Sequence, residues 1–220
     1  MSDEIRRFRD LGYRRAKIKI GSAPLAQDLK RIDAAARQLD GPGHLAVDAI
    51  YAYTATTGIE AADMLAPLRL WWFEDICDPL DFETLAAVAR CYTAPIADGE
   101  ALFSAEEANL LDRHGGLRRD RDILLFDPVH CYGLPGYLQI LQKLEDRGWP
   151  RSAFWPHGGH LFCLHVVAAV MPGRDGKAGS LIELESWVWR DADLTRGRRP
   201  LTPIRDAFLL RPADAFCLRR

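Results

Sequence analysis

Short apolar runs recur along the chain, and each is followed by a segment whose apolar positions repeat at helical spacing. "RAKIKIG" leads into "LAQDLKRIDAAARQL", "HLAVDAI" into "TGIEAADMLAPL", and "LWWFEDI" into "DFETLAAVARCY". "PIADGEA" leads into "SAEEANLLDRHG", "DILLFDP" into "GLPGYLQILQKLEDRG", and "SAFWPHGGH" into "LFCLHVVAAVM". Repeated strand-then-helix order predicts an α/β protein built on a parallel sheet. Helix starts fit the frame: Ser104 is followed three places later by Glu107 in a capping-box pattern, and Asp81 stands ahead of "FETLAAVAR" with Thr84 third. Clusters such as "LWWF" read as core. Beyond about residue 172 the periodicity degrades, although "LIELESWVW" reads as one possible strand, so a partial barrel or sheet domain is expected over 1–189 and an irregular, Arg-rich tail over 190–220.

A polar residue closes each apolar run at a nearly constant period. Asp48, Glu74, Glu100, Asp127 and His157 follow one another at 26, 26, 27 and 30 residues. In a parallel barrel or a doubly wound sheet the carboxyl ends of the strands face one way, so these five side chains are expected to converge on one mouth. The run before them, "AKIKIG", carries Lys17 and Lys19 on alternate positions, hence on one face of a strand. Lysines on a solvated edge are the plain reading of such a pair; the five converging residues favour a pair turned to the mouth. Asp48, Glu74 and Glu100 offer three hard oxygen ligands with no His or Cys among them, which suits Mg²⁺. Without a cation, three adjacent carboxylates repel one another.

Composition narrows the classes. With 29 Lys and Arg against 31 Asp and Glu, the net charge is −2, which gives no basic footprint for a nucleic acid. The N-terminus is charged throughout, and the longest apolar run is too short to span a bilayer, so no membrane partner is expected. Five scattered cysteines without a C-x-x-C fit reduced thiols and a cytoplasmic location. His157, His160 and His165 in "HGGHLFCLH" allow a zinc-hydrolase reading, but the diglycine argues against a rigid helical ligand face.

Taken as an ordered set, "KIK", "VDA", "FED", "DGEALF", "LLFDP" and "PHGGH" resemble the barrel domain of the enolase superfamily, in its mandelate-racemase-like branch. "DPLDF", "HGGLRRDRDILLFD", "YGLPGY" and "PHGGH" look similar to the D-tartrate dehydratase type of acid-sugar dehydratase. The resemblance implies a (β/α) barrel of the TIM type and a Mg²⁺-dependent lyase acting on a small-molecule 2-hydroxycarboxylate such as tartrate. It implies Lys19 as the base that removes the α-proton, Lys17 at the substrate carboxylate, and Asp48, Glu74 and Glu100 as metal ligands. His157, oriented by Asp127, becomes the acid that protonates the departing 3-hydroxyl. A metal-stabilised enediolate is the general intermediate of such sites.

The chain also departs from that pattern. No counterpart is found for the capping domain or the first barrel strand, so the expectation is an incomplete barrel whose exposed edges favour a homo-oligomer. The family's "VDAN" reads "VDAI", with Ile50, and "GEN" reads "GEA", with Ala101. Two further readings therefore stand beside the dehydratase: a non-catalytic remnant that keeps the fold, and a racemase or epimerase on the same scaffold.

Overall fold

In the computed structural model of the chain, the described residues are 2–10, 13–158, 162, 163 and 166. Every expected strand up to "DILLFDP" forms, shorter than its apolar run: β1 Ala16–Lys19, β2 Leu45–Asp48, β3 Phe73–Glu74, β4 Ile96–Asp98 and β5 Ile123–Leu124. Helix α1 (Ser2–Asp10) precedes β1, and α2 (Leu25–Ala36), α3 (Ala55–Leu65), α4 (Phe82–Cys91), α5 (Ala105–His114) and α6 (Leu134–Glu145) follow the strands in turn. The expected helix over 161–171, the histidines at 160 and 165 and the tail over 190–220 lie outside the described residues, apart from 162, 163 and 166.

The sheet runs β1-β2-β3-β4-β5 with every pair parallel, and Phe154 adds a sixth parallel position beside Leu124. Each strand lies next to its predecessor with no reversal of order. A doubly wound sheet reverses at a switch point; this unbroken order is that of part of a (β/α) barrel.

Strand alternation sorts the two faces. Ile18, Ile20, Leu45, Val47, Phe73 and Ile96 pack with the helices in the larger apolar core. Ala46, Trp72, Ala97, Ile123, Leu125 and Trp155 form a second cluster on the other face, with Trp71 packed against it. The three indoles stack with centroids 4.0 to 5.3 Å apart. Small alanines from β2 and β4 leave the room that Trp72 and Trp155 fill, which is how close packing is reached with so few side chains. The expectation that "LWWF" is core holds for Leu70, Trp72 and Phe73, all buried, with Trp71 half-buried against them.

Helix starts are fixed as the sequence indicates. Ser104 and Glu107 complete a reciprocal capping box, and Asp81 accepts from the Thr84 N–H. A third box, Thr54 with Thr57, starts α3 two residues before the expected helix segment begins.

At the amino ends of β4 and β5 an ion pair ties together the segments that lead into the two strands. The Arg118 guanidinium donates to both oxygens of Asp122 and to the carbonyls of Tyr92 and Ala94. Asp122, buried, also accepts from the Ile96 N–H at 2.8 Å and the Arg118 N–H at 2.6 Å. The motif "RRDRD" is therefore a brace on the pole away from the strands' carboxyl ends. Asp122→Ala strands a guanidinium and two N–H donors, and should cost about 3 kcal/mol. Urea unfolding of the two proteins measures this; a loss below about 1 kcal/mol would mean that water replaces the carboxylate.

Candidate active site

At the opposite pole the register brings charge together. Lys19 pairs in β1 with Asp48 in β2, and Asp48 pairs with Glu74 in β3. Lys17 and Lys19 share the inner face, as alternation predicts, and the plain reading of a solvated edge fails. The Lys17 side chain is only 9% exposed, with its Nζ 2.5 Å from Glu74 Oε1 and 3.3 Å from Asp48 Oδ2. Lys19 is hydrogen-bonded to the same Asp48 oxygen and is 39% exposed, so it reaches the mouth. Burial pushes the Asp48 carboxyl up, but Lys17, Lys19 and the Ile50 N–H outweigh it and hold the carboxyl below its ordinary range.

Glu74 closes β3 as expected, whereas Glu100, Asp127 and His157 do not close strands. They stand two or three residues past Asp98, Leu124 and Phe154, on the loops that leave the sheet. These strands lose their ladder early because the chain must turn to aim the side chain. Gly99 makes that turn for Glu100 with φ +119°, and a Cβ there would meet the Phe126 ring at 3.2 Å. His157 lies between two carboxylates, with Nδ1 3.0 Å from Asp127 Oδ2 and Nε2 3.0 Å from Glu100 Oε2. Burial raises the Asp127 carboxyl, but the bonds from His157 and the Val129 N–H bring it down to about 2. Glu100 is likewise lowered against its burial, chiefly by His157. All seven residues singled out from the sequence thus gather at one mouth.

Sequence reasoning missed three participants. Trp72 donates its indole N–H to Glu74 Oε2 at 2.6 Å. The Tyr51 hydroxyl donates to Glu100 Oε1 at 3.3 Å. Asp75, 1% exposed, joins Asp48, Glu74 and Glu100 in a group whose ligand oxygens lie within 4.8 Å of one another. Strict alternation would send Asp75 away from Glu74, but its φ of +46° breaks the strand there. Burial raises its carboxyl well above the usual range, and the neighbouring acids add to the effect. Asp98 is pushed up to about 7, mostly by burial. The acidic pair in "FED" was the available signal for Asp75; the backbone turn that makes it count was not legible.

The donor set fits a hard divalent cation: four carboxylates, with no Cys or His in the group. Lys19 and the His157–Asp127 pair stand beside that cluster, a base candidate and an acid candidate in contact with its ligands.

A family model described as "Enolase C-terminal domain-like" matches residues 1–196. Arabinonate dehydratase of Saccharolobus solfataricus is 26% identical over 172 residues, which are 77% of this chain and 45% of that protein. The structure of L-talarate dehydratase from a Polaromonas species, complexed with Mg and L-glucarate, superposes with a TM-score of 0.69 at 28% identity, covering 86% of this chain and 50% of that one. A racemase from Streptomyces coelicolor with bound magnesium gives a TM-score of 0.68 at 28% identity, covering 77% and 45%. The chain spans about half the length of these relatives.

The turn beside Asp48 carries strain. Ile50 and Tyr51 both have left-handed backbone, with φ of +47° and +60°, and Ile50 is 52% exposed. A β-branched residue is rare there, whereas Asn tolerates it. Ile50→Asn should therefore stabilise the chain by about 1 kcal/mol. A thermal melt reads this directly, and a lowered midpoint would show that the isoleucine is held by apolar contact rather than against its backbone.

Proposed function

The chain belongs to the enolase C-terminal domain-like family, and from that membership we propose that it forms the catalytic half of a Mg²⁺-dependent acid-sugar dehydratase. The observation that carries the proposal is the juxtaposition of Lys19, the carboxylate cluster and the Asp127–His157 pair at one mouth. Asp48, Glu74 and Glu100 would hold the cation. Magnesium there supplies stabilisation of the negative charge that builds on a substrate carboxylate when its α-proton leaves.

The chain's own residues do the rest. Lys17, buried against Glu74, puts a fixed positive charge where the substrate carboxylate would lie. Lys19, the more exposed of the two, would move from Asp48 toward an α-hydrogen and accept that proton. Hydroxide leaves poorly at neutral pH, so elimination needs an acid. His157 fits that role, since Asp127 fixes its ring through Nδ1 and favours its charged form. Transfer of the Nε2 proton to a departing 3-hydroxyl gives water and an enol that becomes a 2-keto acid. The acid-sugar class is supported by the dehydratase relatives, and tartrate by the "DPLDF" and "YGLPGY" motifs. The racemase neighbour supports a second outcome on the same residues, with His157 returning its proton to carbon.

Two measurements test this. Glu74→Gln removes one ligand charge and should weaken Mg²⁺ binding roughly tenfold or more in calorimetry; an unchanged affinity would remove the cluster as the metal site. In D₂O with Mg²⁺, the chain should exchange the α-hydrogen of tartrate or a related sugar acid, followed by NMR. Lys19→Ala should abolish that exchange, whereas His157→Asn should spare it and abolish dehydration. Exchange that survives in the Lys19 variant refutes the base, and no exchange with any sugar acid turns the reading to a non-catalytic remnant.

A further inference from the structure

One imidazole at the mouth has no part in the chemistry above. His130 stands three residues past Asp127, on the loop from β5 into α6, and its side chain is 52% exposed. The carboxylate that orients His157 also holds His130. Asp127 Oδ1 accepts from the His130 backbone N–H at 3.3 Å, and Asp127 Oδ2 lies 3.9 Å from His130 Nδ1 and 3.0 Å from His157 Nδ1. The two rings therefore stand side by side, with centroids 6.4 Å apart and planes 33° from parallel. With Nδ1 turned to Asp127, the Nε2 of each ring lies on its far side, and that of His157 faces Glu100 within the mouth. Phe103, itself exposed, meets the His130 ring edge-on at 5.4 Å. Packing one exposed ring on another buries little apolar area and does not account for a histidine held here.

We propose that His130 is a specificity-determining residue that receives the second carboxylate of a four-carbon diacid, beside the hydroxyl that His157 protonates. The inference rests on the sugar-acid reading given above and adds to it the length and charge of the substrate. Lys17 serves the carboxylate next to the α-carbon, and His157 serves the 3-hydroxyl. In a four-carbon diacid the remaining carboxylate is bonded to the carbon that carries that hydroxyl. Its oxygens therefore fall beside His157, where a hydrogen bond from the neighbouring ring reaches about 2.8 Å. Glu100 and Asp127 make that side of the mouth negative, so a second carboxylate arriving there needs a partner able to carry positive charge. An imidazole can do so, and a bound anion favours its protonated form. A six-carbon diacid puts a hydroxyl at this place and carries its carboxylate two carbons further out. A monoacid puts no charge there at all.

Tartrate and threonate, both enantiomers of each, are the probes. They share their first three carbons and the hydroxyls on them, and differ in the fourth, a carboxylate in one and a hydroxymethyl in the other. In calorimetry with Mg²⁺, the full chain should bind one tartrate roughly tenfold or more tighter than either threonate or the six-carbon galactarate. His130→Gln should lose that factor for tartrate and leave threonate binding unchanged. Tartrate, unlike threonate, should also shift the His130 ring-proton signals in NMR of the wild-type chain. Equal wild-type affinities, an equal loss for both acids in the variant, an unchanged tartrate affinity in it, or unmoved His130 signals overturn the inference and leave the sugar-acid reading intact. Failure of the wild-type chain to bind any of these acids overturns both. The wild-type affinities and ring signals decide the matter even if the variant does not fold.

Discussion

Buried negative charge at one pole is the constraint around which this chain is arranged. Two unit charges 4.8 Å apart repel by about 3 kcal/mol at an effective dielectric of ~20, and the cluster contains several such pairs. The register of β1 on β2 answers this directly. It sets Lys19 against Asp48 and brings Lys17 within reach of both Asp48 and Glu74. His157 serves Glu100 in the same way from the other side of the mouth. A slip of one residue in β1 would turn both lysines into the apolar layer under the helices and leave the acids bare. Fold and site therefore share one determinant.

The two poles handle buried charge differently. Arg118 and Asp122 satisfy each other and four backbone groups nearby, forming a closed network that asks nothing of a ligand. At the carboxyl pole the pairings are shared: Asp48 serves two lysines and His157 two carboxylates. Shared partners can be exchanged at little cost. One arrangement suits a brace and the other suits chemistry, although both are built from the same residue types.

Much of this could be read from the chain. The alternation in "AKIKIG" fixed which way Lys17 and Lys19 point, and the period of 26 to 30 residues gathered Asp48, Glu74, Glu100, Asp127 and His157. Those signals survive because each strand delivers one residue to the mouth per βα unit. What escaped was set by loops and by packing. Glu100, Asp127 and His157 stand beyond their strands because a glycine or an irregular turn aims them, and such turns have no period. Asp75 was hidden by a positive φ that cancels the alternation rule. Tyr51 and Trp72 carry no charge to draw attention, and Trp72 within "LWWF" reads as core. It is core, and it also touches a ligand.

That double position of Trp72 has a consequence for inheritance. Its ring is locked between Trp71 and Trp155 while its N–H is fastened to Glu74. A substitution at Ala46 or Ala97 that pushes on the ring would be transmitted to a carboxylate at the mouth. Interior repacking and site geometry are thus not separable traits in this chain. A lineage could drift freely on its helices, but each change in the inner layer would be judged by what it does to Glu74.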